Sequence, residues 1–243
     1  MLFTVVIVKI LNKFLDALYP SHYKCLVCSK EIVSDGVDIC DECLESCEVV
    51  DSVHGCIKCG ATLVANDVVC GACKDIVPVF DKNYSVFVFK DSIKLLLLSL
   101  KYNGKKYIAS TFSEILYDKY LELNLNCDVV IPVPLHCNRL LERGYNQSEL
   151  LCSSFISNGI SVCTNVLERV KDTPHQTELS KSDRYSNILG AFKVTNKSVV
   201  KGKSVLLVDD VYTTGSTVNE CSKVLLKAGA RSVTVLTLCH STM

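Results

Sequence analysis

Val205-Leu-Leu-Val-Asp-Asp-Val-Tyr-Thr-Thr-Gly-Ser-Thr217 sets two adjacent carboxylates, Asp209 and Asp210, at the end of an unbroken apolar run. Thr213, Thr214, Gly215, Ser216 and Thr217 follow at once. A short apolar run rich in branched residues reads as a strand buried on both faces. Residues 215–230 behind it read as a helix stopped at Gly229. The stretch is therefore a strand end, a tight turn and a helix N-terminus. Two acids buried there without partners would be costly, whereas at a strand tip they can face a ligand. A carboxylate pair suits a vicinal diol, which offers two hydroxyl donors. Amides and hydroxyls of Thr213 to Thr217 at the helix start form a cradle for an anion such as phosphate. Diol and phosphate a few ångströms apart describe a ribose 5-phosphate. A helix cap plus a hydroxyl-rich turn accounts for one acid and one hydroxyl, but not for the full set.

Working outward, strands and helices alternate. Residues 84–90, 127–135, 204–210 and 232–240 read as strands. Residues 92–104, 107–123 and 146–159 read as helices, the first stopped by Asn103-Gly104 and the last by Gly159. Buried strands separated by helices imply a parallel α/β sheet, whose ligands bind at the carboxyl ends of the strands. Pro132 and Pro134 stiffen the turn after 127–135, and Arg139 and Arg143 behind it suit diphosphate oxygens. Asn146 reads as a helix cap. The polar segment 171–187, with Lys171, Lys181 and Arg184, reads as a mobile lid, and His175 within it is not taken as catalytic.

The N-terminal third is of another kind. Cys25-x2-Cys28 and Cys40-x2-Cys43 form one quartet; Cys56-x2-Cys59 and Cys70-x2-Cys73 form a second. Two such knuckles complete a tetrahedral four-sulfur shell, so each quartet reads as a closed, structural zinc site. Spacing leaves open whether one or two zinc ions bind, and whether the pairing is sequential or interleaved. Gly60 and Gly71 permit the positive φ that amides turning toward sulfur need. Cys47 is a spare, and His54 a bystander rather than a ligand. Residues 1–22 read as an amphipathic helix docking on the body, 23–78 as the zinc-ribbon region, and 79–243 as the α/β domain, with a junction near Pro78. None of the six later cysteines forms a Cys-x-x-Cys pair.

Formal net charge is zero, which argues against a strongly basic nucleic-acid binder. The first 80 residues carry 6 Lys/Arg against 11 Asp/Glu, so direct DNA contact by the ribbons is not expected. No apolar run reaches the ~18 residues of a membrane span, and Lys9 and Lys13 interrupt the opening hydrophobic stretch. A cytoplasmic protein is expected.

VLLVDDVYTTGST resembles the ribose-phosphate motif of type I phosphoribosyltransferases. Together with 130–151, 169–192 and the cysteine-rich front end, it makes the whole chain resemble the ComF family. That resemblance implies a type I phosphoribosyltransferase-like parallel sheet flanked by helices, behind a small zinc ribbon. It also implies a link to DNA uptake in natural competence. Asp209 and Asp210 would hold the ribose hydroxyls of phosphoribosyl pyrophosphate, and Thr213 to Thr217 its 5-phosphate. Mg²⁺ would accompany the diphosphate. Partners would include a competence helicase or other DNA-uptake proteins. The acceptor and turnover itself are not implied.

Overall fold

The computed structural model describes residues 22–33, 37–51, 55–63, 67–172 and 187–241. The expected N-terminal helix, apart from residue 22, lies outside these, as do His54 and residues 173–186 of the expected lid. The chain divides into two compact units, Met1–Ser46 and Cys47–Met243. Pro78 and the second cysteine quartet thus lie within the second unit.

In the first unit, β1 (His22–Lys24) pairs antiparallel with β2 (Glu31–Val33), and a one-turn helix, α1 (Asp41–Glu45), follows. In the second unit a similar short helix, α2 (Gly71–Asp75), precedes a four-stranded, wholly parallel sheet. Its strands are β3 (Asn83–Val88), β4 (Val129–Pro132), β7 (Ser204–Tyr212) and β8 (Ser232–His240), in the order β3-β8-β7-β4. A small antiparallel hairpin, β5 (Leu167–Arg169) with β6 (Phe192–Val194), lies apart.

The sheet is apolar on both faces because both are covered. Val205 and Leu207 of β7 share a buried cluster with Val129, Ile131, Val233 and Val235. Val218, Cys221 and Leu225 of α8 (Ser216–Lys227) complete that layer. The helix α4 (Ile108–Glu122) packs on β3 and β8 and buries Phe112 and Leu116 completely. Pro132, which cannot donate to a neighbour, ends an edge strand, the position a sheet tolerates for it. The remaining helices are α3 (Asp91–Tyr102), α5 (Cys137–Arg143), α6 (Gln147–Leu150) and α7 (Ser153–Ser157). No helix among the described residues is long and apolar enough to cross a membrane.

Two elements differ from the sequence expectation. The helix expected over 146–159 is two short pieces, α6 and α7. At the break, the buried Ser113 hydroxyl donates to the Leu151 carbonyl (2.9 Å) and accepts the Ser154 amide (2.8 Å). A side chain from α4 has replaced the intrahelical ladder there. Strand β7 also runs two residues further than expected, to Tyr212, which pairs with His240 of β8. Asp209 and Asp210 therefore stand inside the last paired residues of the strand, not beyond them.

Candidate functional site

A cleft of about 390 Å³ opens at the carboxyl ends of the strands. Asp209, Asp210, Thr213, Gly215 and Thr217 line it from β7 and the following turn, and Arg139 and Arg143 from α5. The structure thus gathers seven of the nine ligand-binding candidates around one space. The other two, Thr214 and Ser216, line a smaller cavity of about 180 Å³ behind the turn. Sequence reasoning missed Lys101 from α3, Gln147 and Ser148 from α6, and Arg169 from β5, which line the same cleft.

The acid pair is built into the frame. Asp210 is only 5% exposed. Lys101 Nζ lies 2.9 Å from each of its carboxylate oxygens, and Gln147 Nε2 donates to Oδ2 at 2.9 Å. Asp209 differs. Its Oδ1 accepts the Ser148 hydroxyl and the Asp210 amide, each at 2.9 Å. Burial, helped by the neighbouring Asp210 charge, pushes the Asp209 carboxyl up to about 7. A carboxyl raised in the fold binds more protons there than in the unfolded chain, so stability falls as pH rises from about 4 through 7. Asp209→Asn removes that loss. Its melting midpoint should exceed the wild type's at pH 8, at about 2–4 °C per kcal/mol, with the gap falling to roughly two-fifths of that at pH 5. Equal gaps at the two pH values, in melting curves followed by circular dichroism, would refute the reading.

The turn is shaped by Gly215, the N-cap of α8, at φ +74°. A Cβ there would fall 2.1 Å from Tyr212 Oη and 2.5 Å from Cζ, so only glycine fits beneath that ring. Thr214 Oγ1 and Ser216 Oγ share a hydrogen bond of 2.8 Å, which ties the turn's hydroxyls together. The first amides of α8, left without intrahelical partners, add the positive end of the helix dipole. Beside them, Arg143 has a buried Nη1 without a hydrogen-bond partner, and its guanidinium lies 5.4 Å from the Tyr102 ring centroid. Arg139 Nε lies 3.7 Å from Asp172, whose carboxyl is held low chiefly by a 2.8 Å hydrogen bond from Asn138. Asn146 caps α6 as expected, its side chain accepting the Ser148 amide at 3.1 Å.

The cysteines pair sequentially. In each quartet, Cys25-Cys28-Cys40-Cys43 and Cys56-Cys59-Cys70-Cys73, all four sulfurs lie within 4.8 Å of one another. No disulfide forms. Backbone amides turn toward sulfur: Val27 and Cys40 to Cys25, both at 3.4 Å, and Cys70 to Cys56 at 3.3 Å. Burial opposes it, yet such amides bring the Cys25 thiol down to about 6. A hydrogen bond from Cys73 is the largest influence taking Cys59 to about 3. Thiolate-forming, four-sulfur sets of this kind fit zinc. Gly60 adopts the expected positive φ, and Ser29 takes the same conformation in the first quartet. Gly71 does not; it opens α2 instead. The settings differ: Cys28 is exposed, whereas Cys56, Cys59 and Cys73 belong to the buried cluster beneath the sheet.

A phosphoribosyl transferase domain model matches residues 105–242, and a double zinc ribbon model matches residues 14–74. Competence protein F of Haemophilus influenzae is 32% identical over 223 residues, covering 88% of this chain and 95% of that one. The chain belongs to the ComF family. DNA utilization protein YhgH of Salmonella typhimurium is 31% identical over 89% of this chain and 96% of its own. Competence protein ComFC of Bacillus subtilis is 31% identical over 66% of this chain and 65% of its own. The ComF-family architecture accounts for both halves of the structure: a parallel sheet flanked by helices, and a front end holding two four-cysteine clusters of a double zinc ribbon.

Proposed function

We propose that this ComF-family chain binds phosphoribosyl pyrophosphate in the cleft at the carboxyl edge of the sheet and acts as a phosphoribosyltransferase-like protein in DNA uptake. One observation carries the reading: an acid pair, two arginines and a glycine-shaped hydroxyl turn line one space. Asp209 faces the ribose diol, and Asp210 holds Lys101 and Gln147 in place beside it. Thr213 to Thr217 and the first amides of α8 take the 5-phosphate, with Thr214 and Ser216 contributing through the backbone. Arg139, Arg143 and Lys101 bring positive charge to the diphosphate, which stabilises it as a leaving group when the C1–oxygen bond breaks. Mg²⁺, when bound, would neutralise diphosphate charge, and Asp209 is the residue that would help to hold it.

Each quartet holds one structural zinc in this reading. By role the chain divides into residues 1–22, the ribbon region 23–78 and the ligand-binding domain 79–243. The names of the relatives supply the link to competence and DNA utilization, with a helicase or other DNA-uptake proteins as partners in the cytoplasm.

A second reading is a ribose-phosphate-binding accessory protein without turnover. Asp210 favours it, since both its oxygens are already engaged by Lys101 and Gln147. Calorimetric titration with Mg²⁺-phosphoribosyl pyrophosphate tests the shared claim of binding. Diphosphate release across a panel of candidate bases then separates the two: release with one base supports the enzyme, and binding without release supports the accessory protein.

A further inference from the structure

The turn that cradles the phosphate is a partition. Tyr212, Thr213 and Gly215 line the ligand cleft on one side and the smaller cavity on the other. Across that smaller cavity stand Cys59, Cys70 and Cys73 of the second quartet. The turn therefore has empty space behind it, and its support is local. Tyr212 is that support. Its ring is 5% exposed, stacks on His240 at 5.0 Å and meets Phe80 edge-on at 6.3 Å. Its hydroxyl end occupies the space over Gly215. Phe80 is in turn held by the ribbon side. Lys58, between Cys56 and Cys59, donates to the Phe80 carbonyl at 3.2 Å. Asn83 donates to the Cys59 carbonyl at 2.9 Å. Val79, just after the ribbon region, donates to Asn219 in the first turn of α8 at 2.8 Å.

We propose that Tyr212 is a positioning residue that couples the second cysteine quartet to the phosphate turn, so that metal in the quartet and a phosphate ligand on the turn strengthen each other's binding. The inference rests on the ribose 5-phosphate reading of the cleft. The geometry is a packed chain: quartet, Phe80 and His240, Tyr212, Gly215. If metal holds the quartet, the ring is fixed and the turn cannot relax into the cavity. If metal leaves, the ring loses its wall and the turn loses its shape. Coupling of this kind is reciprocal in binding free energy, so the ligand must tighten metal binding by the same factor.

The test uses the full zinc-loaded chain. Zinc partition to the chromogenic chelator 4-(2-pyridylazo)resorcinol is titrated to equilibrium with and without saturating ribose 5-phosphate, whose binding is measured separately by calorimetry. Cys28→Ser, which breaks the first quartet, identifies the zinc that belongs to the second. In the wild type, ligand should raise the zinc affinity of the second quartet roughly fivefold or more and leave the other unchanged. Tyr212→Phe keeps the ring over Gly215 and should keep the coupling. Tyr212→Leu should lose it. Ligand that binds the wild type without raising the second quartet's zinc affinity overturns the proposal, as does full coupling in a folded Tyr212→Leu protein. A wild type that binds no ribose 5-phosphate overturns the cleft reading itself, and the coupling with it.

Discussion

Cys59→Ser removes one zinc per chain and lowers the melting midpoint of the larger unit by roughly 10–20 °C. Zinc held by four cysteines contributes folding free energy outright. Here the site is part of the main core. Cys56, Cys59 and Cys73 pack in one cluster with Phe80, Val205 and Val233, so the quartet shares its walls with the sheet. Replacing one ligand leaves three sulfurs around an unmade site inside the main core. A loss of about 5 kcal/mol is the scale for such an event, at about 2–4 °C per kcal/mol. Zinc analysis and thermal melting on the same sample read both effects. Cys28→Ser also removes one zinc, but Cys28 is exposed in the smaller unit, so the main transition should move by less than about 2 °C. Equal shifts for the two variants would show that the second quartet has no special place in the core.

Gly215→Ala is the second large effect. A side chain at φ +74° costs roughly 1 kcal/mol wherever it occurs. Gly202, at φ +72° with open space around its missing Cβ, gives that cost alone. At Gly215 the new methyl also meets the Tyr212 ring, with Oη only 2.1 Å away, so ring or turn must shift. Either movement spoils the anion cradle. Ribose 5-phosphate affinity should fall about a hundredfold, equivalent to about 2.7 kcal/mol, while Gly202→Ala binds as the wild type does. Calorimetry on both variants decides. Equal affinities would mean the turn tolerates a side chain and does not form the proposed cradle.

The α/β plan was legible because buried parallel strands read as apolar runs, as 205–208 is throughout and 233–239 is apart from Thr234 and Thr237. The phosphate turn was legible because glycine and hydroxyl residues after such a strand have few structural reasons to cluster. The two quartets, by contrast, have nearly identical spacing, 11 and 10 residues between knuckles. Nothing local tells that the second joins the buried cluster under the sheet. The difference comes from Phe80, Tyr212 and His240, which reach the second quartet only through the tertiary fold. Lys101 was hidden for a similar reason. A lysine in the last turn of an apolar helix reads as a complement to the helix dipole. Its partner Asp210 lies 109 residues away. The break between α6 and α7 was invisible because it is imposed by Ser113, a residue of another helix.

Calorimetric titration of Mg²⁺-phosphoribosyl pyrophosphate into the wild type and into the Asp209→Ala, Asp210→Ala double variant tests the central claim most directly. The wild type should bind one ligand per chain, and the double variant, checked for zinc content and folding, should show no saturable heat. Unchanged affinity in a folded double variant would contradict the assignment of this cleft to a ribose phosphate.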